Sequence, residues 1–212
     1  MRKLVSFCLY GTAPRYLNGA LENAKLMKAI YPDWQMRVYS EEGIDAKYLE
    51  DYDVEVVKMG KNNGHMAMFW RMLPIWDDDV DRVIFRDCDS RINMREATAV
   101  QEWEQSSYVA HAMHDHPHHQ NHLIFGGMWG IMGKSLPHAL MLTLKDIYYN
   151  HGRKGQDTRA LSRYVFPYIA TKLMTHTSVP VRGLSIPPKP FTGNLKGFIG
   201  QQYDDEGNQV WP

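Results

Sequence analysis

The chain has 212 residues, 44% of them hydrophobic and 23% charged, with 24 Lys and Arg set against 24 Asp and Glu. This is the composition of a soluble globular protein and excludes a disordered, collagenous or coiled-coil chain; at this length roughly 70% of the unfolded surface can be buried, enough for one sizeable domain. Zero formal net charge argues against a nucleic-acid or membrane-surface partner, because both need a surplus of Lys and Arg to meet phosphates.

Met1-Arg2-Lys3 followed by Leu4 to Leu9 imitates the start of a signal peptide. The apolar run is too short for one, and it predicts a first strand, Leu4 to Tyr10. Leu17, Leu21, Ala24 and Met27 recur at helical spacing between Arg15 and Tyr31, and Pro32 stops the helix. Gln35 to Ser40 and Val54 to Met59 are short β-rich runs. His65 to Trp76 reads as a Met- and aromatic-rich helix, and Val80 to Phe85 as a fourth strand. Four βα-like repeats of this kind imply an α/β domain with a mostly parallel central sheet flanked by helices.

Beyond it, Met94 to Trp103 predicts a helix and Tyr108 to Met113 a strand. Leu123 to Met132 predicts a Gly-interrupted strand, and Ser135 to Tyr149 and Gln156 to Val165 two more helices. After Pro180 the Pro and Gly content predicts an irregular segment wrapping the domain. We expect one domain over 1–212. The longest stretch free of Asp, Glu, Lys and Arg, His116 to Gly133, holds four histidines and is no membrane span. Cys8 and Cys88 sit in apolar runs, as in proteins of a reducing compartment, so a cytoplasmic location is expected. The end at Val210-Trp211-Pro212 is abrupt, the pattern of one domain cut from a longer natural chain.

The sharpest chemical feature is Val83-Ile-Phe-Arg-Asp87-Cys88-Asp89-Ser90-Arg91. In extended backbone a period of two puts Asp87 and Asp89 on one side and Cys88 on the other. Two carboxylates at the carboxyl end of a parallel strand suit a hard divalent cation able to bridge nucleotide phosphates. The competing reading is a solvated acidic turn. Arg71, sixteen positions earlier, can pair with these carboxylates or fork onto a phosphate. Arg86 and Arg91 flank the acidic pair and are expected to be structural.

Six of the ten histidines lie between His111 and His122. They lack the cysteine partners and spacing of a structural zinc site, but an imidazole-rich loop with Asp115 also suits sugar hydroxyls. Gly126-Gly127-Met128-Trp129-Gly130 follows, with glycines that let backbone approach a ligand and a Trp129 face that is either open to it or buried in the core. Asp157, after Gly155-Gln156, sits at a helix start, either as an N-cap or as a base aimed into the cleft.

These pieces, together with Tyr10-Gly11-Thr12, Phe69-Trp70-Arg71, Arg95-Glu96 and Gly197-Phe-Ile-Gly200-Gln201, resemble the nucleotide-sugar-dependent glycosyltransferases of the GT-A fold. The likeness is greatest to small enzymes of large DNA viruses, including the first domain of a multidomain chlorella-virus enzyme, and of bacterial polysaccharide clusters. The resemblance implies transfer of a hexosyl or deoxyhexosyl group from a UDP-sugar donor to a hydroxyl of a glycan acceptor. It places Mn²⁺ or Mg²⁺ on Asp87 and Asp89. The nucleotide would lie at Tyr10, Gly11, Thr12, Arg71 and the Asp87-Cys88-Asp89 turn, in a nucleotide-binding half over 1–92. Arg71, Asp115, His116, Gly126, Gly127, Trp129 and Lys196 would line the sugar pockets of the half over 93–212, with Asp157 as base or sugar contact. Two departures stand out: Asp157 is followed by Thr158 where relatives often have Gln, and no His-x-x-Gly-x-x-Lys segment supplies a third metal ligand. A haloacid-dehalogenase-like phosphatase also uses Asp-x-Asp after a strand, though normally at the start of its domain. A non-catalytic carbohydrate- or metal-binding module built on the histidines is the third reading.

Overall fold

In the computed structural model, which describes residues 1–62, 66–151, 155–193 and 196–210, strand β1 (Arg2–Leu9) lies inside a seven-stranded sheet, third from one edge. On one side it pairs in parallel with β2 (Gln35–Ser40), which pairs in parallel with the edge strand β3 (Glu55–Lys58). On the other side it pairs in parallel with β4 (Val80–Phe85). Beyond β4 comes β6 (Trp129–Met132), antiparallel to both neighbours, then β5 (Ala110–His114) and β7 (Leu173–Thr177). The order is β3-β2-β1-β4-β6-β5-β7.

Both faces of the sheet are covered, so the central strands are continuous apolar runs rather than alternating ones. Leu4, Val83, Phe85, Trp129 and Ile131 pack on one face. There they meet α2 (Ala67–Trp70), α4 (His138–His151) and α6 (Phe166–Ile169). Val5, Phe7, Leu9 and Ile84 face the other side, under α1 (Pro14–Ile30) and α3 (Met94–Glu104). Helix α1 starts with Pro at its first position, where a missing N–H costs nothing, and buries Gly19, Ala20, Asn23, Ala24 and Met27.

Several elements differ from the sequence reading. Of the stretch His65 to Trp76, His65 lies outside the described residues, and the rest forms α2 followed by a separate 3-10 turn, Leu73–Trp76. Pro74 cannot supply the N–H that would extend α2. In Leu123 to Met132 only the last four residues are strand. Strand β7 was not anticipated, because Leu-Met-Thr-His-Thr carries neither an apolar run nor clear alternation. Gln156 to Val165 is α5 (Gln156–Ala160) followed by a wider π turn, Leu161–Val165. The C-terminal segment is less irregular than expected. It contains a hairpin of β8 (Gln202–Tyr203) and β9 (Gln209–Val210). Arg15 N–H donates to Asp205 at 3.1 Å, and Tyr203 N–H donates to the Asp89 carbonyl at 2.8 Å, so this hairpin lies across the carboxyl ends of the strands. Among the described residues no helix is long and apolar enough to cross a membrane.

Candidate active site

Neighbouring connections leave β1 and β4 in opposite directions, so the crevice beyond their carboxyl ends is the switch point at which open α/β sheets take ligands. Asp87 and Asp89 lie there. Strand β4 ends at Phe85, and Asp87 to Ser90 form a turn closed by a bond from Ser90 N–H to the Asp87 carbonyl at 3.2 Å. The extended geometry expected for Asp87-Cys88-Asp89 is therefore replaced by a tight turn. Helix α1 holds it. A Cβ on Gly19 would come within 1.9 Å of the Cys88 carbonyl oxygen, and Asn23 donates to the Ser90 carbonyl at 2.8 Å while accepting from Ile92 N–H at 2.9 Å. Gly19 and Asn23 are supports that the sequence reading missed; an Asn on the buried face of an amphipathic helix was the available signal.

The two carboxylates remain near enough to interact. Burial, and then the charge of Asp87, push the Asp89 carboxyl up to about 6. Cys88 is turned away, buried, with its thiol donating to the Cys8 carbonyl at 3.4 Å. Its side chain belongs to the core rather than to a nucleotide site.

Arg71 is 2% exposed and organises the floor. One guanidinium nitrogen binds Asp87 Oδ1 and donates to the Arg86 carbonyl at 3.3 Å; the other donates to Asp157 Oδ2 at 3.0 Å. Burial alone would lower its pKa, but the Asp87 and Asp157 charges outweigh that and raise it well above the usual value. The N-cap of α5 is Gly155, at φ 76°. Asp157 is therefore inside the first turn rather than capping it, and its carboxylate serves the cleft. Gly126 and Gly127 make the approach possible: a Cβ on Gly126 would come within 2.0 Å of Asp157 Oδ2, and one on Gly127 within 2.0 Å of Asp87 Oδ2.

A cleft of about 260 Å³ opens above this floor, lined at one end by Asp87, Gly126, Gly127 and Asp157 and at the other by His116, His119, Phe125 and Phe198. Other anticipated residues lie elsewhere. Trp129 is fully buried against Phe85, ring centroids 4.6 Å apart, and offers no face to a ligand because both sides of β6 are covered. Asp115 is buried and spent on structure, pairing with Arg95 at 2.9 Å and accepting from Ile199 N–H at 3.0 Å. Lys196, Gly11 and Thr12 are exposed, and Gly11 N–H donates to Glu41 at 3.0 Å; Tyr10 is half-buried against the core. Among the histidines, His111 and His114 are buried within β5, and His111 bonds His176 at 2.9 Å.

Among the described residues no three His, Cys, Asp or Glu side chains gather to share a metal ion. Asp87 and Asp89 nevertheless fit a hard cation. They are oxygen donors, and Asp89 is a carboxyl disfavoured as an anion partly by its neighbour's charge, a repulsion that a divalent ion relieves. Mg²⁺-type ions commonly take one or two carboxylates and complete their shell with phosphates and water.

No family model and no curated protein sequence matches the chain. Solved structures do. The fold is that of the GT-A nucleotide-sugar transferases, which nucleotidyltransferases share. A glycosyltransferase involved in glycosylation of the major capsid of PBCV-1 superposes with TM-score 0.54 at 13% identity, over 84% of this chain and 82% of that one. The mannosyltransferase PcManGT of Pyrobaculum calidifontis, solved with GDP-Man and Mn²⁺, gives 0.55 at 14%, over 86% of this chain and 58% of its own. A putative glucose-1-phosphate thymidylyltransferase from Bacillus anthracis gives 0.53 at 10%, covering 84% and 87%.

Proposed function

We propose that the chain is a metal-dependent glycosyltransferase that moves a hexosyl or deoxyhexosyl group from a UDP-sugar to a glycan hydroxyl. The observation that carries this reading is the buried Arg71 guanidinium joining Asp87 and Asp157 at the switch point of a GT-A-type sheet. Asp87 and Asp89 hold Mn²⁺ or Mg²⁺, which when bound supplies countercharge to the departing diphosphate. Arg71 fixes Asp87 and Asp157 against each other and adds a preorganised positive charge beneath the cleft. With Oδ2 held by Arg71, Asp157 has its other oxygen left for the acceptor: taking the hydroxyl proton in an inverting transfer, or contacting the sugar in a retaining one. Gly126 and Gly127 keep the donor sugar's path clear, and the turn at Tyr10, Gly11 and Thr12 receives the base and ribose.

Calorimetric titration with UDP, with and without Mn²⁺, tests this. Metal-dependent binding that is lost in Asp87→Ala and Asp89→Ala, followed by turnover of a UDP-sugar, supports it. Absence of nucleotide binding, or a phosphoryl group trapped covalently on Asp87, overturns it.

A further inference from the structure

The end of the cleft away from Asp87 has its own chemistry. His119 is buried, and its Nδ1 accepts from the Asp115 N–H at 3.1 Å; His116 Nδ1 accepts from the His118 N–H at 3.3 Å. An imidazole that accepts at Nδ1 carries its neutral-form proton on Nε2. Burial, and then the imidazoles of His114, His116 and His118, lower His119 to about 3. Burial and His118 lower His116 as well, against a small opposing effect of Asp115. Both rings are therefore uncharged at neutral pH, and each has one N–H donor to give.

His116 lies face to face on Phe198, centroids 4.2 Å apart and planes 28° from parallel, and His119 stands 5.1 Å from the Phe125 ring. Met128 and Val210 continue the same lining. Among the described residues no Lys or Arg lines the cleft, and its opposite end carries the carboxylates Asp87 and Asp157.

We propose that this wall is the acceptor subsite and that it selects an uncharged pyranoside over a uronide or a sugar phosphate. A pyranose presents a C–H face that packs on aromatic rings, and oxygens that accept from Nε2–H. A carboxylate or phosphate there lacks the guanidinium or ammonium partner such groups require, since among the described residues no Lys or Arg lines the cleft. The inference rests on the transferase reading, since it takes the donor to fill the Asp87 end.

The test uses the full chain with UDP and Mn²⁺ present and methyl glycosides as probes: glucoside, galactoside, mannoside and fucoside against glucuronide, galacturonide and glucoside 6-phosphate. Ring-nitrogen NMR follows His116 and His119. The expected result is Nε2–H tautomers for both at pH 7, and at least one neutral glycoside that shifts both signals and binds tenfold or more tighter than any charged probe. His116→Ala, or the milder Phe198→Leu, weakens that binding about tenfold while UDP affinity stays within twofold. Equal or tighter binding of a charged probe, failure of every neutral probe, Nδ1–H tautomers, or unchanged binding in both variants overturns the proposal. UDP affinity is measured separately, so failure of the transferase reading shows as absent nucleotide binding whatever the glycosides do.

Discussion

Two buried arginines, fifteen residues apart, show how little burial says about role. Arg86 is 1% exposed and donates to Glu96 at 2.9 Å and to the Phe85 and Gly127 carbonyls, each at 2.9 Å. Glu96 is itself 1% exposed and also accepts from the Tyr31 hydroxyl at 3.1 Å, so the whole assembly is sealed in the core. Arg71 is buried to the same degree, but its partner Asp87 keeps 51% of its side chain open. The difference lies in the carboxylates: one arginine ends in the interior, and the other delivers its charge to a cleft. The two are linked, since Arg71 also binds the Arg86 carbonyl.

The comparison can be broken at either arginine. Glu96→Ala leaves the Arg86 guanidinium buried without its counter-charge, and should cost about 3–5 kcal/mol of folding free energy, read as a lower midpoint in urea; a cost under 1 kcal/mol would show the sealed pair to be dispensable. Asp87→Ala should cost less than Glu96→Ala, because Arg71 keeps Asp157 as a buried counter-charge, yet reduce sugar transfer by about 10²–10³-fold, the range seen when one preorganised group is removed from a reaction centre. Comparable losses of stability in the two variants would erase the distinction. Gly127→Ala puts a methyl group onto Asp87 Oδ2 and is expected to cost ~1–3 kcal/mol through forced displacement, with weaker UDP–Mn²⁺ binding in the same titration.

The last prediction concerns pH dependence. His119 has a folded pKa of about 3 against 6.5 in the free side chain, so the folded state binds fewer protons. Its contribution is complete above pH 6.5 and is lost as pH falls towards 3. His111, His114 and His176 are shifted downward too, burial being the leading cause in each. Asp89 runs the other way: its folded value of about 6 exceeds 3.8, so it weakens the fold as pH rises from 3.8 through 6. Stability in urea should therefore decline between pH 6.5 and 4, with a slope of at most ~1.4 kcal/mol per pH unit for each histidine. His119→Asn should flatten that slope; an unaltered slope would count against the buried neutral ring.

Apolar runs and helical spacing made β1, α1, β2 and β4 legible, and the Asp87-Cys88-Asp89 turn stood out because two carboxylates directly follow a buried strand. What escaped notice depends on tertiary approach. Arg71 and Asp157 meet across 86 positions, and no local pattern announces it. Gly126 and Gly127 read as a strand interruption that lets backbone approach a ligand, but that their missing side chains also make room for Asp157 and Asp87 is a tertiary fact no local pattern carries. Trp129 and Asp115 have the right chemistry for sugars but are consumed by the core and by Arg95. Pairing with β5, rather than any local preference, makes a strand of Leu173–Thr177.

The C-terminal hairpin carries a consequence for local opening. Its bond from Arg15 to Asp205 closes a separation of 190 positions, and Asp115 reaches Ile199 across 84. The hairpin has only two short strands paired to each other and none in the seven-stranded sheet, so it is expected to open locally at a lower free-energy cost than the sheet. Amides of residues 199–210 are therefore expected to exchange with solvent by local opening, faster than those of β1 and β4.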